Sequence, residues 1–226
     1  MTKPLTIYGR ILSPFVAKVI LAAKFKGLPY ELSVPKKGIK TPAYFKLNPV
    51  AKVPVMIDGD TVLFESDVIV EYLEVKYKAK KLLPASAKGA AQARLIGAVA
   101  TEYAQASAIK LVRHKRGTAT EPLDVNATMQ DLEKGLNALE HVLIKGKYAA
   151  GAKFGYADCA LAPALCFIKA AADWYNRSDI FDNHPKIKKY WTAIQKNKLA
   201  GPVIEDMFDM IDVMKAGKLP TWSQPD

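Results

Sequence analysis

The sequence predicts a small α/β domain followed by a larger all-helical domain. Three observations carry this expectation. Within the first eighty residues short β-prone runs alternate with helix-periodic ones in the order βαβ–ββα. After Leu83-Pro84 no strand signal returns. From Ala90 onward the chain is Ala-rich, with apolar residues at helical spacing. A length of 226 residues suits one or two domains. The expected boundaries are 1–80 and 88–226, joined by a linker at 79–89 (AKKLLPASAKG).

The elements follow in order. Leu5-Thr6-Ile7-Tyr8 is a short strand closed by Gly9. Ser13-Pro14 starts a helix, with Ser as N-cap and Pro at the first helical position. Phe15, Val16, Val19, Ile20 and Ala23 recur along it, and Gly27 stops it. Tyr30 to Val34 alternates like a strand, and 35–52 is a Lys-, Pro- and Asn-rich loop with room for one helical turn. Asp58-Gly59-Asp60 joins Pro54–Ile57 to Thr61–Phe64 as a hairpin. Ser66 is expected to cap the next helix, with Val68, Ile69, Tyr72 and Leu73 as its buried stripe. Breaks near 117–122, 145–155, 176–185 and 199–202 leave about five helices in the second domain.

Composition narrows the function classes. Hydrophobic residues make up 50% and charged residues 24%, which excludes disordered, collagenous and low-complexity chains. No apolar run is long enough to span a bilayer, and the first residues lack the pattern of a secretory signal. The only cysteines, Cys159 and Cys166, are two helical turns apart and cannot bridge within that helix, so a reducing, cytoplasmic location is expected. The net charge is +11, and residues 1–84 carry the larger share, with 14 basic and 7 acidic residues. A field of that sign attracts anions. No interleaving of aromatic and basic residues marks a nucleic-acid surface, so nucleic acid is not expected as a partner, and neither is a metal.

Four places could carry chemistry. Ser13, at a helix N-cap, sits beside unsatisfied backbone N–H groups and the positive end of the helix dipole, where an anion brought by a ligand is stabilised. The bland alternative is a cap and nothing more. No histidine neighbours it and no G-x-S-x-G elbow surrounds it, which disfavours a serine hydrolase. Val53-Pro54 opens a strand, and the sequence leaves the isomer of that bond undecided. Glu65-Ser66 opens a helix straight after a strand; a carboxylate-binding helix start beside an acid suits an α-amino acid head group. Lys36, Lys37, Lys40, Lys46 and Lys52 punctuate the loop and offer a landing place for a carboxylate, although most such lysines are simply solvated.

Together these pieces resemble the soluble glutathione S-transferase superfamily along the full length of the chain. The strongest stretches are Asn48-Pro49-Val50-Ala51-Lys52-Val53-Pro54 and Glu65-Ser66-Asp67-Val68-Ile69-Val70-Glu71-Tyr72-Leu73, similar to the family's N-P-x-x-K-V-P and E-S-x-x-I-x-x-Y-L signatures. Ser13-Pro14-Phe15 with Lys18-Val19 resembles the serine-type classes (tau, phi and theta). The resemblance implies a thioredoxin-like first domain and a soluble homodimeric detoxifying transferase. Glutathione would be co-substrate, with no separate cofactor. By residue, Ser13 would donate to the glutathione sulfur and Val53, after a cis Pro54, would pair with the cysteinyl part. Glu65 and Ser66 would hold the γ-glutamyl head group, and Lys40 and Lys52 the glycyl carboxylate. A hydrophobic electrophile would sit between the domains against Leu12, Phe15, Tyr103, Ser107, Lys110 and Leu111, the last four expected on one helical face. That face is equally well core or dimer contact.

Two departures stand out. The family's Ser/Thr-x-x-Asp capping box is here Gly155-Tyr156-Ala157-Asp158, in which Gly replaces the side-chain cap and Asp158 can still bond back. The Lys-rich helices are the other. Tyr8 is the alternative sulfur donor, since other classes use a strand-end tyrosine. No cysteine precedes residue 152, which removes the nucleophile of the cysteine-type classes. Rival readings are a non-catalytic docking module, a ligandin storing apolar anions, and a glutathione-dependent isomerase.

Overall fold

The computed structural model describes residues 3–35 and 37–219, so Lys36 lies outside the described residues. Strands β1 (Leu5–Tyr8), β2 (Tyr30–Ser33), β3 (Val55–Asp58) and β4 (Thr61–Phe64) form one sheet in the order β2-β1-β3-β4. β1 runs parallel to β2 with Leu5 opposite Tyr30, and antiparallel to β3 with Ile7 opposite Met56; β3 and β4 are the predicted hairpin, Asp58 opposite Thr61. The parallel step needs a crossover, and α1 (Pro14–Lys26) supplies it. With α2 (Pro42–Phe45) and α3 (Ser66–Lys76) this is the thioredoxin-like arrangement.

Residues alternate along β1, Leu5 and Ile7 turning inward onto the core. α1 is buried on almost every side, because it packs against α3 within the first domain and against α7 of the second. Its left-handed C-cap is Gly27 (φ 71°), whose N–H donates to the Ala23 and Lys24 carbonyls, as expected of a glycine placed there.

α4 (Ala87–Ala98) begins inside the stretch assigned to the linker, because the Ser86 side chain accepts the Gly89 N–H at 3.1 Å as an N-cap. α4 continues through a π-helical segment (Val99–Gln105) into α5 (Ala106–Lys115) as one long rod. α6 (Val125–Val142), α7 (Tyr156–Asp173), α8 (Pro185–Ile194) and α9 (Ala200–Lys215) follow. Counting the rod once gives the expected five helices among the described residues. α7 is the centre of the domain, with 16 of its 18 residues buried.

The domains are joined by more than apolar contact. Buried Lys26 donates to Glu74 at 2.7 Å and to the Tyr77 and Lys80 carbonyls, pinning the end of α1 to the end of α3. Glu74 in turn accepts the N–H groups of Leu82 and Leu83. Leu82 then offers its carbonyl to the Tyr156 N–H at 2.9 Å, at the start of α7. This explains Gly155: a Cβ there would lie 2.3 Å from the Leu82 oxygen. Asp158 bonds back as expected, its Oδ2 accepting the Gly155 N–H at 2.9 Å and its Oδ1 the Ala149 N–H at 3.0 Å.

Candidate active site

Ser13 occupies the N-cap of α1 in extended conformation (φ −76°, ψ 119°), but its hydroxyl makes no capping hydrogen bond. Its backbone is committed, the N–H donating to the Arg10 carbonyl at 3.0 Å and the carbonyl accepting the Ala17 N–H at 2.9 Å. The half-buried side chain is therefore available to a ligand. No acidic side chain lies in the first turn of α1, so the positive end of that helix is not neutralised by its own sequence.

The loop before β3 is held by Asn48, which is buried. Its Oδ1 accepts the Val50 N–H at 2.9 Å and its Nδ2 donates to the Lys52 carbonyl at 2.9 Å. The Tyr44 hydroxyl donates to the same carbonyl at 2.8 Å, and burial, with Tyr8 edge-on to its ring, pushes Tyr44 up to about 12, so it stays a donor. Ala51 takes a left-handed conformation (φ 52°), and the Val53-Pro54 bond is cis.

The start of α3 departs from expectation. Glu65, not Ser66, is the N-cap, at φ 68° and ψ 113°, and Ser66 is the first helical residue. A non-glycine residue at that φ is strained, and such strain gathers at binding sites. The turn buries Ser66 while Glu65 remains exposed. Val68, expected in the buried stripe, is half exposed; Ile69, Val70 and Leu73 are the buried face.

These segments meet in a small cleft of about 90 Å³. It brings together Phe15 from α1, Asn48, Lys52, Val53 and Pro54 from the loop, and Glu65 and Ser66 from α3. Ser13, two residues before Phe15 at the head of the same helix, does not itself line this cleft. Lys40 is exposed on its own turn and does not line the cleft.

The residues expected to contact an electrophile are divided. Leu12 is half-buried and, like Phe15, lies on the N-terminal-domain side. Tyr103 is 62% exposed and Lys110 is exposed, whereas Ser107 is buried and Leu111 is fully buried in the core. Core is an equal reading of this helical face, and Ser107 and Leu111 take it, while Tyr103 and Lys110 stay exposed.

One cluster escaped sequence reasoning. Lys18, 2% exposed, pairs with Asp67, and the Tyr156 hydroxyl donates to the same carboxylate oxygen. Burial lowers the Lys18 pKa, and Asp67 opposes that shift. The cluster ties α1, the residue after Ser66, and the start of α7. Asn48 was the other omission; its Asn-Pro sequence, a turn former, was the available signal.

Among the described residues no group of three or more His, Cys, Asp or Glu is placed to hold a metal, and no helix is long and apolar enough to cross a membrane.

Residues 7–81 match the family model for the glutathione S-transferase N-terminal domain, and residues 107–199 that for the C-terminal domain. Glutathione S-transferase 3 of Zea mays is 34% identical over 203 residues, covering 84% of this chain and 89% of that protein. The solved structure of glutathione S-transferase III in its apo form superposes with a TM-score of 0.73 at 30% identity, over 90% of this chain and 96% of that one. Human glutathione S-transferase T1-1 in its apo form shares the fold, with a TM-score of 0.78 at 24% identity, over 94% of this chain and 91% of that one. The chain belongs to the glutathione S-transferase family of enzymes.

Proposed function

We propose that the protein conjugates glutathione to hydrophobic electrophiles and that Ser13 activates the thiol. The observation that carries this reading is the Ser13 hydroxyl: it sits at a helix N-cap and caps nothing. Glutathione would lie with its γ-glutamyl carboxylate at the start of α3, on Ser66, and its ammonium beside Glu65. The cysteinyl backbone would run along Val53. Of the two lysines expected to hold the glycyl carboxylate, Lys52 is the better placed, since it lines the cleft and Lys40 does not.

The energetics are sufficient. A free thiol has a pKa of about 8.5, so only a few per cent is thiolate at neutral pH. Lowering that value by about two units needs roughly 2.7 kcal/mol of preferential stabilisation of the anion. A hydrogen bond to a charged acceptor contributes about 1.5–3 kcal/mol, and a helix dipole about 0.3–1. No general base is required. The thiolate attacks an electrophilic carbon, forming the C–S bond; an aryl halide loses halide, whereas an epoxide or enone takes up a proton.

A homodimer is part of the proposal. Val68 and Val75 on α3 and Leu95 on α4 are exposed, as is Tyr103 just beyond α4, with the Arg94–Glu71 ion pair bridging the two helices. Four large apolar side chains on adjoining helices suit an interface. The expected cytoplasmic location also belongs here, and rests on the two free, buried cysteines.

Ser13→Ala tests the central reading. The expected result is a fall of about 10²-fold in kcat/KM with glutathione affinity nearly unchanged and unfolding midpoint unaltered. Full activity in the variant would move the role to Tyr8 or to the backbone. Retention on immobilised glutathione with no turnover of any electrophile by the unmodified protein would favour a docking module or ligandin instead.

A further inference from the structure

The acidic residues that offset part of the chain's basic excess are unevenly placed. Three stretches, 15–30, 75–101 and 141–157, contain no Asp or Glu. The fold brings them together where α1 ends. Lys26 ties that end to the linker through the Tyr77 and Lys80 carbonyls. The Leu82 carbonyl then ties the linker to the Tyr156 N–H at the start of α7. Phe25 of α1 stacks on Phe154 with ring centroids 5.6 Å apart, and Tyr148 stands edge-on to Phe154 at 5.9 Å.

Lysines surround these rings. Lys24 and Lys153 are the chain neighbours of the stacked pair, and the Lys147 ammonium lies 5.4 Å from the centroid of the Tyr148 ring. The Lys80 ammonium lies 3.8 Å from where a Cβ on Gly27 would stand, and Lys81 and Lys153 line one shallow depression with Phe154. All five lysines are exposed, and none makes an ion pair among the described residues. The buried acids at this junction are already committed: Glu74 accepts from Lys26 and from the Leu82 and Leu83 N–H groups, and Asp158 from the Ala149 and Gly155 N–H groups. Lys24 also complements the C-terminal end of α1. The other four lie on loops and have no helix end to complement. Like charges gathered without counter-ions repel one another, so the arrangement suits an anionic partner.

Two features choose among anionic partners. Pro84, Ala85 and Ala152, small and exposed, line the same depression as Lys81 and Lys153, so apolar surface is interspersed with the charges. Phe25 and Phe154 stack on each other, which takes up ring faces that a nucleic-acid base would need. We propose that this face docks on a lipid surface rich in anionic headgroups, with the lysines against the headgroups and Pro84, Ala85 and Ala152 at the boundary of the apolar layer. Ser13 precedes the other end of α1, a helix of 13 residues and about 20 Å, so the docked face does not include the glutathione cleft.

The test is co-sedimentation of the full chain with vesicles of phosphatidylcholine and phosphatidylserine in a ratio of three to one. Binding is expected to these vesicles, to be absent with phosphatidylcholine alone, and to weaken as salt is added. Each lysine at an anionic leaflet contributes about a factor of five, so K24Q/K81Q/K153Q is expected to bind about 10²-fold more weakly. R113Q/K115Q/K134Q, which removes the same charge from α5 and α6, is expected to lose far less. The urea midpoint reports that each variant is folded, and the lipid and salt dependence of the unmodified protein stands without any variant. No binding to the mixed vesicles, equal binding to phosphatidylcholine alone, or equal losses in the two variants overturns the proposal. Tighter binding to a DNA duplex than to the vesicles would assign the face to a phosphate backbone, and a changed oligomeric state in K24Q/K81Q/K153Q would assign it to a second copy; either overturns the lipid reading. None of these outcomes bears on whether the protein conjugates glutathione, which the Ser13→Ala kinetics decide.

Discussion

Gly155→Ser restores the hydroxyl that the family's capping box carries at this position. By intrinsic cap preference the change is worth a few tenths of a kcal/mol in favour of serine. The structure reverses the sign. Any Cβ on residue 155 would stand 2.3 Å from the Leu82 carbonyl oxygen, which already accepts the Tyr156 N–H. That carbonyl has little room to retreat, because the Leu82 N–H is held by Glu74 at 3.0 Å and the side chain is 2% exposed. Displacing it forfeits one hydrogen bond, about 1 kcal/mol, and adds an overpacking cost of about 1–3 kcal/mol. The expected net loss is about 2–4 kcal/mol, read as a fall of about 1 M or more in the urea midpoint. Gly155→Ala, which has the Cβ but no hydroxyl, should lose a similar amount. A serine variant as stable as the parent would refute the idea that the linker carbonyl displaces the side-chain cap.

Two further outcomes follow from burial. Asp67→Ala should cost more than Lys18→Met: the first leaves an ammonium 2% exposed without its anion, about 3 kcal/mol or more, whereas the second leaves a carboxylate that is 52% exposed and hydrated. Equal losses in chemical denaturation would contradict this. Burial pushes Asp158 up to about 6 against the pull of the Ala149 and Gly155 N–H groups. The folded chain therefore holds this proton more tightly than the unfolded one. The stability it contributes is complete below about pH 4 and is lost as pH rises through about 6, a span of about 3 kcal/mol. Asp158→Asn does not titrate, so the parent should gain on the variant as pH falls from about 7 to about 4; a gap that does not change with pH would argue against it.

The sheet, the crossover helix, the hairpin and the helical breaks were legible because each is written locally, in Ser13-Pro14, Gly27, Asp58-Gly59 and the apolar periodicities. The departures lie where the local pattern allowed more than one outcome. Ser66 has the better cap chemistry, yet the chain turns through Glu65 at positive φ and the serine goes inward. Val68 fits the apolar stripe, yet that side of α3 faces outward. Along the rod from Tyr103 to Leu111, helical spacing alone does not tell a lining face from core: Ser107 and Leu111 are buried, Tyr103 and Lys110 exposed. Lys18, Asp67 and Tyr156 are separated by 49 and 89 residues, so nothing in the local pattern joins them. Of the basic residues, Lys18 and Lys26 are buried in ion pairs.

The most direct test of the thiol-activation account is the ultraviolet absorbance of the glutathione thiolate bound to the protein, titrated against pH. The account predicts an apparent pKa about two units below the free-thiol value of about 8.5, returning most of the way in Ser13→Ala. A bound thiol that titrates like the free one, or an equally low value in the alanine variant, would contradict it.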